Sequence, residues 1–392
     1  MLSEERSGTH ILNCGQDSSF AGNKTSQGNQ DGNDIGDFYY TPPANHLAIC
    51  TSNMAVPLTP NEHFDTPLYT GSGGSKTISG LSFQPDLVIG GCLTANENHH
   101  VHDAVRGTGK RLSTVNDGAE VSDGALNAFT SDGYTFDRAG AMNTGSENYV
   151  NYVWKANGAG AANTEGSLNT TKTSANTAAG FSIVSWTGND TNGATLGHGL
   201  DKAPELIATK RRSGDAIAWY VYSEAVGNTK YIKWNETDAE ATSAIWNNTS
   251  PTATVFTLSG GEGINSSSHT YIAYCWHSVE HYSKIGNYVG NGEDDGTFVY
   301  TGFRPAWIWI KSNSSAADNP IFISVVNPYN IVDDMLFMNK YDDLHTSSGN
   351  AEIDILSNGF KHRYQGGWTN YGDREFIYMA FAETPFKYAN AR

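Results

Sequence analysis

Charged side chains are scarce in this chain, at 17% of 392 residues, and they are unbalanced, with 41 acidic against 24 basic. The net charge of −17 repels phosphate backbones and anionic headgroups, which argues against nucleic acid and acidic membranes as partners. Long apolar runs are also missing. No stretch approaches the roughly 18 residues that a membrane-spanning helix needs, so membrane insertion is not expected. The opening "MLSEERSGTHILNCG" lacks the apolar core of a signal peptide, and conventional secretion is not expected either. Cysteine is confined to Cys14, Cys50, Cys92 and Cys275, with no CxxC pair. That scatter predicts free, mostly buried thiols in a chain made in a reducing cytosol. The hydrolase signatures GxSxG and HExxH are absent, as are a nucleophilic Cys/His pairing and a Walker or dinucleotide loop. "GSGG" at 71–74 follows an aromatic and leads into a strand, not a helix. No enzyme is expected, and no cofactor.

Glycine, at 42 residues, sits beside 16 Phe, 20 Tyr and 9 Trp. Turn formers interleaved with aromatic and β-branched residues predict an all-β protein. One phrase recurs three times: "GLSFQPDLVIG" (80–90), "GLDKAPELIATK" (199–210) and "GFRPAWIWIK" (302–311). Pro85, Pro204 and Pro305 anchor it, as expected of a proline at a strand start, where a missing N–H costs the ladder nothing. Each unit opens on an aromatic and a glycine, in "LYTGSGG" (68–74), "SWTGNDTNG" (185–193) and "NYVGNGEDDG" (287–296). Each closes on an alternating aromatic strand, "YVNYVWKA" (149–156), "YIAYCWHS" (271–278) and "FIYMAFAE" (376–383). Trp154, Trp276 and Phe381 then lie 83, 88 and 91 residues after Gly71, Gly188 and Gly290.

This period, roughly 100 residues, is too long for a propeller blade or a solenoid turn and fits a small antiparallel sandwich. The expected organisation is an extended N-terminal arm over 1–66, a repeat over 67–156, a Gly/Ala/Asn/Thr linker or hinge over 157–180, and repeats over 181–284 and 285–392. Closing strands that are apolar on both faces predict that the three repeats share one compact core.

Several residues invite a chemical reading. In "CLTANENHHVHD" (92–103), His100 and His102 project from one strand face, with Cys92 and Asp103 as further ligands for zinc or nickel. The repeats argue otherwise: His99, His100 and His102 align with Trp219, Tyr220 and Tyr222, which predicts packed flat rings and no metal. Asp/Asn/Gly loops at 28–37, 291–296 and 341–349 carry oxygen ligands of the kind calcium takes, but none has an EF-hand register, and solvated loops are expected. Glu224 and Asp333 are the sort of carboxylates that glycan-cleaving proteins pair. Trp219, Trp234, Trp246, Trp307, Trp309 and Trp368 could stack on sugars, but more often such rings fill cores or interfaces. The polar loops 236–253 and 312–319 are expected to carry any host contact.

"FAGNKT", "GDFYYTPPANHLAICTSNM", "PLYTGSGG", "GFSIVSWTG", "ATLGHGL", "APELIATKRR", "YIAYCWHSVEHYSKIGNYVGNG", "FVYTGFRPAWIWIK" and "YMAFAETPFKYANAR" run in this order. Over residues 10–392 the chain resembles an uncharacterised family of virion proteins from marine tailed phages, cyanophages especially. In longer relatives this block follows a concanavalin A-like domain. "CGQDSSFAGNKT" resembles the end of that domain, so the chain is expected to keep the linker without the lectin-like sandwich, which weakens any carry-over of sugar binding. The resemblance implies a virion-surface protein made in the host cytoplasm. A tail fibre or appendage subunit with a host-attachment role comes first. A capsid decoration or head-fibre protein is the alternative, and a glycan-binding or glycan-cleaving receptor protein a further one. Other virion proteins, a host glycan or protein, and a homo-oligomer, trimer first, are the partners it implies. No catalytic residues come with it.

Overall fold

The computed structural model describes residues 12–384, apart from 51–52, 54–57, 123–124, 141, 262, 347–348 and 350. Two compact units divide the chain, residues 1–57 and 58–392. In the first, Asp31 organises the backbone. Its carboxylate accepts from the N–H groups of Ala48 (2.8 Å), Asn33 (2.9 Å) and Ile35 (3.2 Å) and from Asn53 Nδ2 (2.6 Å). Four N–H donors thus satisfy Asp31, one of three carboxylates in the loop 28–37 weighed above for calcium.

The second unit is all-β and antiparallel, built from three repeats with one topology. In each, the closing strand (Asn148–Trp154, Thr270–Trp276, Glu375–Ala382) pairs on one side with the strand that begins the repeat. On its other side lies the strand that follows the glycine–proline phrase (Leu87–Cys92, Leu206–Arg211, Pro305–Ser312). The registers coincide, with Leu87 opposite Trp154, Leu206 opposite Trp276 and Trp307 opposite Phe381. Pro85 and Pro204 stand two residues before their strands, while Pro305 opens its own and is followed by a bulge. Further out, His100–Asp103, Tyr220–Ser223 and Pro320–Ile323 come next, then Lys110–Ser113, Lys230–Lys233 and Asp334–Phe337.

Alternation gives every central strand two different faces. One face packs under the repeat's own small sheet. Val88, Tyr149 and Val153 meet Ile78, Tyr134 and Phe136 in the first repeat, for example, and Ile308, Phe376 and Ala380 meet Val299, Ile355 and Phe360 in the third. The opposite faces of all three sheets meet in one core. Tyr152 and Trp154, Tyr274 and Trp276, and Trp307, Trp309, Met379 and Phe381 all belong to it. Ring centroids there lie 6.0 Å apart for Trp154–Trp276, 5.9 Å for Trp154–Trp307, 5.5 Å for Trp154–Phe381 and 5.9 Å for Trp234–Trp309.

The repeats also close into a ring. Glu120 N donates to Arg212 O (2.9 Å), Glu240 N to Asn313 O (2.8 Å) and Leu344 N to Leu93 O (3.3 Å), so that each repeat hands a backbone bond to the next and the third returns to the first.

Two expected boundaries shift. Residues 58–66 belong to the repeat body and not to the arm: Phe64 pairs with Trp154 and stacks on Phe381 at 4.7 Å. The segment 157–180 is no free hinge, because Lys172–Asn176 forms the edge strand of the second sheet against Phe181–Thr187. Its polar residues bind backbone rather than solvent alone. Asn163 N and Asn157 N donate to Thr170 Oγ1 (2.8 Å) and Ser174 Oγ (2.7 Å).

Trp154 touches rings from all three repeats, so Trp154→Ala is expected to cost about 3–5 kcal/mol. Urea denaturation should show this as one shifted cooperative transition, and a separate early transition of the first repeat would contradict a shared core.

Candidate functional site

Three buried asparagines hold the repeats' opening loops. Asn143, Asn265 and Asn370 are fully buried, each six residues before the ring that begins the closing strand's core, Tyr149, Tyr271 or Phe376. Their Oδ1 atoms accept from the N–H groups of Ser72 (2.9 Å), Asn189 (3.2 Å) and Asn291 (3.2 Å). Gly71, Gly188 and Gly290 sit so near the partner loop that an added Cβ would lie 2.1, 2.2 and 2.4 Å from a backbone oxygen, which is why only glycine fits there. Three residues past each asparagine, Ser146, Ser268 and Asp373 adopt positive φ. Above each loop an aromatic pair stacks: Tyr69–Tyr149, Trp186–Tyr271 and Tyr288–Phe376. These residues are structural.

Strand alternation splits the histidine cluster. His100 and His102 lie opposite Gly90 and Val88 on the face toward the small sheet, whereas Asp103, two positions on from the core residue Val101, faces the shared core. There Asp103 is engaged by Arg106 and by Tyr274 Oη (2.7 Å). His100 Nδ1 lies 3.1 Å from Arg111 Nη1, and His102 Nδ1 lies 2.9 Å from Lys110 O. Among the described residues no group of three or more His, Cys, Asp or Glu is placed to hold a metal. The register sets His100 and His102 where Tyr220 and Tyr222 stand, as the repeat alignment implied. Burial pushes the Cys92 thiol up, and that of Cys275 up to about 12, which leaves both poor nucleophiles.

The other candidates separate too. Asp295 pairs with Lys361 (2.7 Å), and Asp342 lies 3.8 Å from Lys340. Glu224 is exposed beside a cleft of about 400 Å³ shared with Glu205 and Lys284, while Asp333 accepts from Asn327 Nδ2 (3.0 Å). Trp219, Trp234, Trp246, Trp307 and Trp309 are buried in the cores. Trp368 is half-buried, edge-on to Phe337 at 5.0 Å. Within the loops 236–253 and 312–319, expected to carry any host contact, residues of 236–240 and 312–317 bond to each other: Ala317 N donates to Thr237 O (2.9 Å) and Asn313 Nδ2 to Glu240 Oε2 (3.1 Å). Further on, Ile245 and Trp246 are buried in the second repeat's own core.

The three junctions are not alike. Gly91, Lys210 and Lys311 are equivalent, opposite Val150, Ile272 and Ile377. Between the first and second repeats, Lys210 Nζ donates to Asp117 O (2.6 Å) and Trp219 Nε1 to Ser113 O (2.7 Å). Arg212 grips Glu120 with two N–H groups (2.9 and 3.0 Å). Burial alone would raise the Glu120 carboxyl, but Arg212 and Arg106 hold it below its usual value. Between the second and third, Lys311 Nζ donates to Glu236 O (3.0 Å) and Asn319 Nδ2 to Trp234 O (3.0 Å). Burial lowers both ammonium groups to about 8.

Among the described residues, the junction of the third repeat with the first shows none of these side-chain bonds. Glycine replaces the lysine, and His99, equivalent to Trp219 and Asn319, is buried with neither ring nitrogen hydrogen-bonded. A Cβ on Gly91 would meet Leu336 Cδ1 at 2.6 Å and His99 Nε2 at 3.1 Å. Outside this point a cleft of about 490 Å³ opens, lined by Asn96, Glu97, Asn98, His100, Thr144 and Tyr341. Glu97 is fixed by Thr144 Oγ1 (2.6 Å) and Tyr149 Oη (2.8 Å), and Asn96 Oδ1 accepts from Asp343 N (3.0 Å).

Residues 59–385 match the model of a domain of unknown function, DUF7483. The chain belongs to that family. No curated protein and no solved structure matches it. The matched span of this DUF7483 domain begins within two residues of the compact unit's start at Leu58, so family and ring coincide.

Two imidazoles, His99 and His362, are buried without hydrogen-bond partners, and burial lowers both to about 3. Unfolding therefore takes up protons between roughly pH 6.5 and pH 3, so stability is full above that window and falls as pH drops through it. Replacing His362, which stacks on Tyr288 at 4.9 Å, with Phe should recover up to about 3 kcal/mol of the loss at pH 4. Urea titrations at pH 7.5 and pH 4 would show it; an unchanged pH dependence in His362→Phe would contradict the buried neutral ring.

Proposed function

We propose that this DUF7483 domain is a non-enzymatic structural subunit of a tailed-phage virion, exposed on the particle as a tail fibre or appendage with a host-attachment role. The observation that carries the reading is the closed ring of three interlocked repeats. Its lysines, its Arg–Glu pair and its asparagine clamps all hold the scaffold together, which suits a rigid part that withstands load outside the cell. The motif-by-motif resemblance to phage virion proteins supports the same assignment.

Assembly with other virion proteins and into homo-oligomers, a trimer first, belongs to the proposal. It is supported by the edge strand Phe298–Tyr300, which leaves Phe298 and Tyr300 exposed beside unpaired backbone. Sedimentation of the purified chain should give a trimer that Tyr300→Lys weakens; a monomer at micromolar concentration would contradict it.

Gold-labelled antibody against this chain, imaged on intact particles, should mark the tail. Labelling of the capsid would favour a decoration or head-fibre protein instead, and unlabelled particles would end the virion reading. A host envelope polysaccharide incubated with the protein should keep its chain length; depolymerisation would establish a glycan-cleaving enzyme.

A further inference from the structure

Repetition makes a departure from symmetry informative. Two junctions of the ring are sealed by a buried lysine, a side chain donating to a neighbour's carbonyl, and an acidic partner. At the third, the equivalent positions are Gly91, His99 and the pair Leu93–Leu344. Among the described residues that junction shows no such seal, and a cleft lies beside it, lined by Asn96, Glu97, Asn98, His100, Thr144 and Tyr341.

We propose that the cleft between the third and first repeats binds a neutral pyranose unit of a surface polysaccharide. This rests on the attachment reading above and names its ligand. Two amides, Asn96 and Asn98, supply paired donors and acceptors of the kind that vicinal hydroxyls engage. The Glu97 carboxylate adds acceptor capacity beyond its two hydroxyl donors, and those donors fix it before any ligand arrives. Tyr341, 59% exposed, places a flat apolar ring at the rim, suited to the C–H face of a sugar. The volume falls within the range of roughly 300–1,000 Å³ typical of small-ligand sites. Charge selects against acidic sugars. Glu97, Asp342 and Asp343 stand in or beside the cleft, and the chain carries −17 overall. His100 also lines the cleft, with its Nδ1 3.1 Å from Arg111 Nη1.

Asn98 and Tyr341 are exposed, so their replacement should leave the fold intact, and thermal melts of both variants should match the parent. The intact chain is titrated against neutral glucosyl, galactosyl and mannosyl oligosaccharides, and against sialylated and uronic ones. At least one neutral series should bind, and Asn98→Ala and Tyr341→Ala should each weaken it about tenfold or more. Tyr371→Ala, in an exposed ring outside the cleft, should not. Binding that survives both cleft variants, binding only of acidic sugars, or no binding at millimolar concentration would each overturn the proposal. Antibody labelling separates the two claims: a labelled tail with no sugar binding removes the cleft proposal alone, and cleft-dependent binding by a chain missing from the particle removes the attachment reading alone.

Discussion

Indole packing at the centre of the ring is what the rest of the fold depends on. Each repeat is a two-layer unit whose larger sheet is apolar on both faces, so it cannot stand alone without exposing one of them. The exposed face of each is covered by the other two. Eight of the nine tryptophans are no more than 2% exposed. Nε1 of Trp154, Trp234, Trp276, Trp307 and Trp309 has no hydrogen-bond acceptor. Leaving those donors unpaired costs about 1–3 kcal/mol each. Burying about 150–250 Å² per ring, with edge-to-face contacts such as Trp154–Trp307 at 88°, outweighs that cost. Rings committed in this way are unavailable as a sugar platform, which moves the search for a binding surface to the junctions.

The junctions follow from the core. Once three sheets share an axis, the strand ends of one repeat meet the loops of the next, and backbone groups there must be satisfied in a region that solvent barely reaches. Lys210 and Lys311 do this with long side chains whose ammonium groups end on carbonyls, at a desolvation cost visible in their lowered pKa values. Gly91 avoids that cost, and among the described residues the third junction is held by fewer bonds.

Much of the scaffold is legible in the sequence, because glycine–proline phrases and alternating aromatics are local signals. They place the three strands that build each sheet's centre, and they set His100 and His102 against Tyr220 and Tyr222 in the observed register. The asparagine clamp also leaves a trace: an Asn six residues before an aromatic, with a turn residue midway, in "NTGSENY", "NSSSHTY" and "NYGDREF". It is easily passed over because Asn is abundant in loops and looks solvated. The polar segments 236–240 and 312–317, parts of the loops 236–253 and 312–319, look solvated in the sequence for the same reason. Their Ser, Asn, Thr and Glu residues bond across a junction, and only the closure of the ring, a long-range event, brings those partners together. The cleft has no local signature at all, since its lining comes from three segments far apart in sequence, 96–100, 140–144 and Tyr341.

Native-state hydrogen exchange reads the central claim most directly, since amides report the free energy of the opening that frees them. The slowest amides of Leu87–Cys92, Leu206–Arg211 and Pro305–Ser312 should exchange with one common free energy, equal to that of global unfolding, because no sheet can open without exposing the shared core. A sheet whose central strand exchanges at markedly lower free energy than the other two, with the rest still protected, would mean three independent sandwiches and would contradict this account.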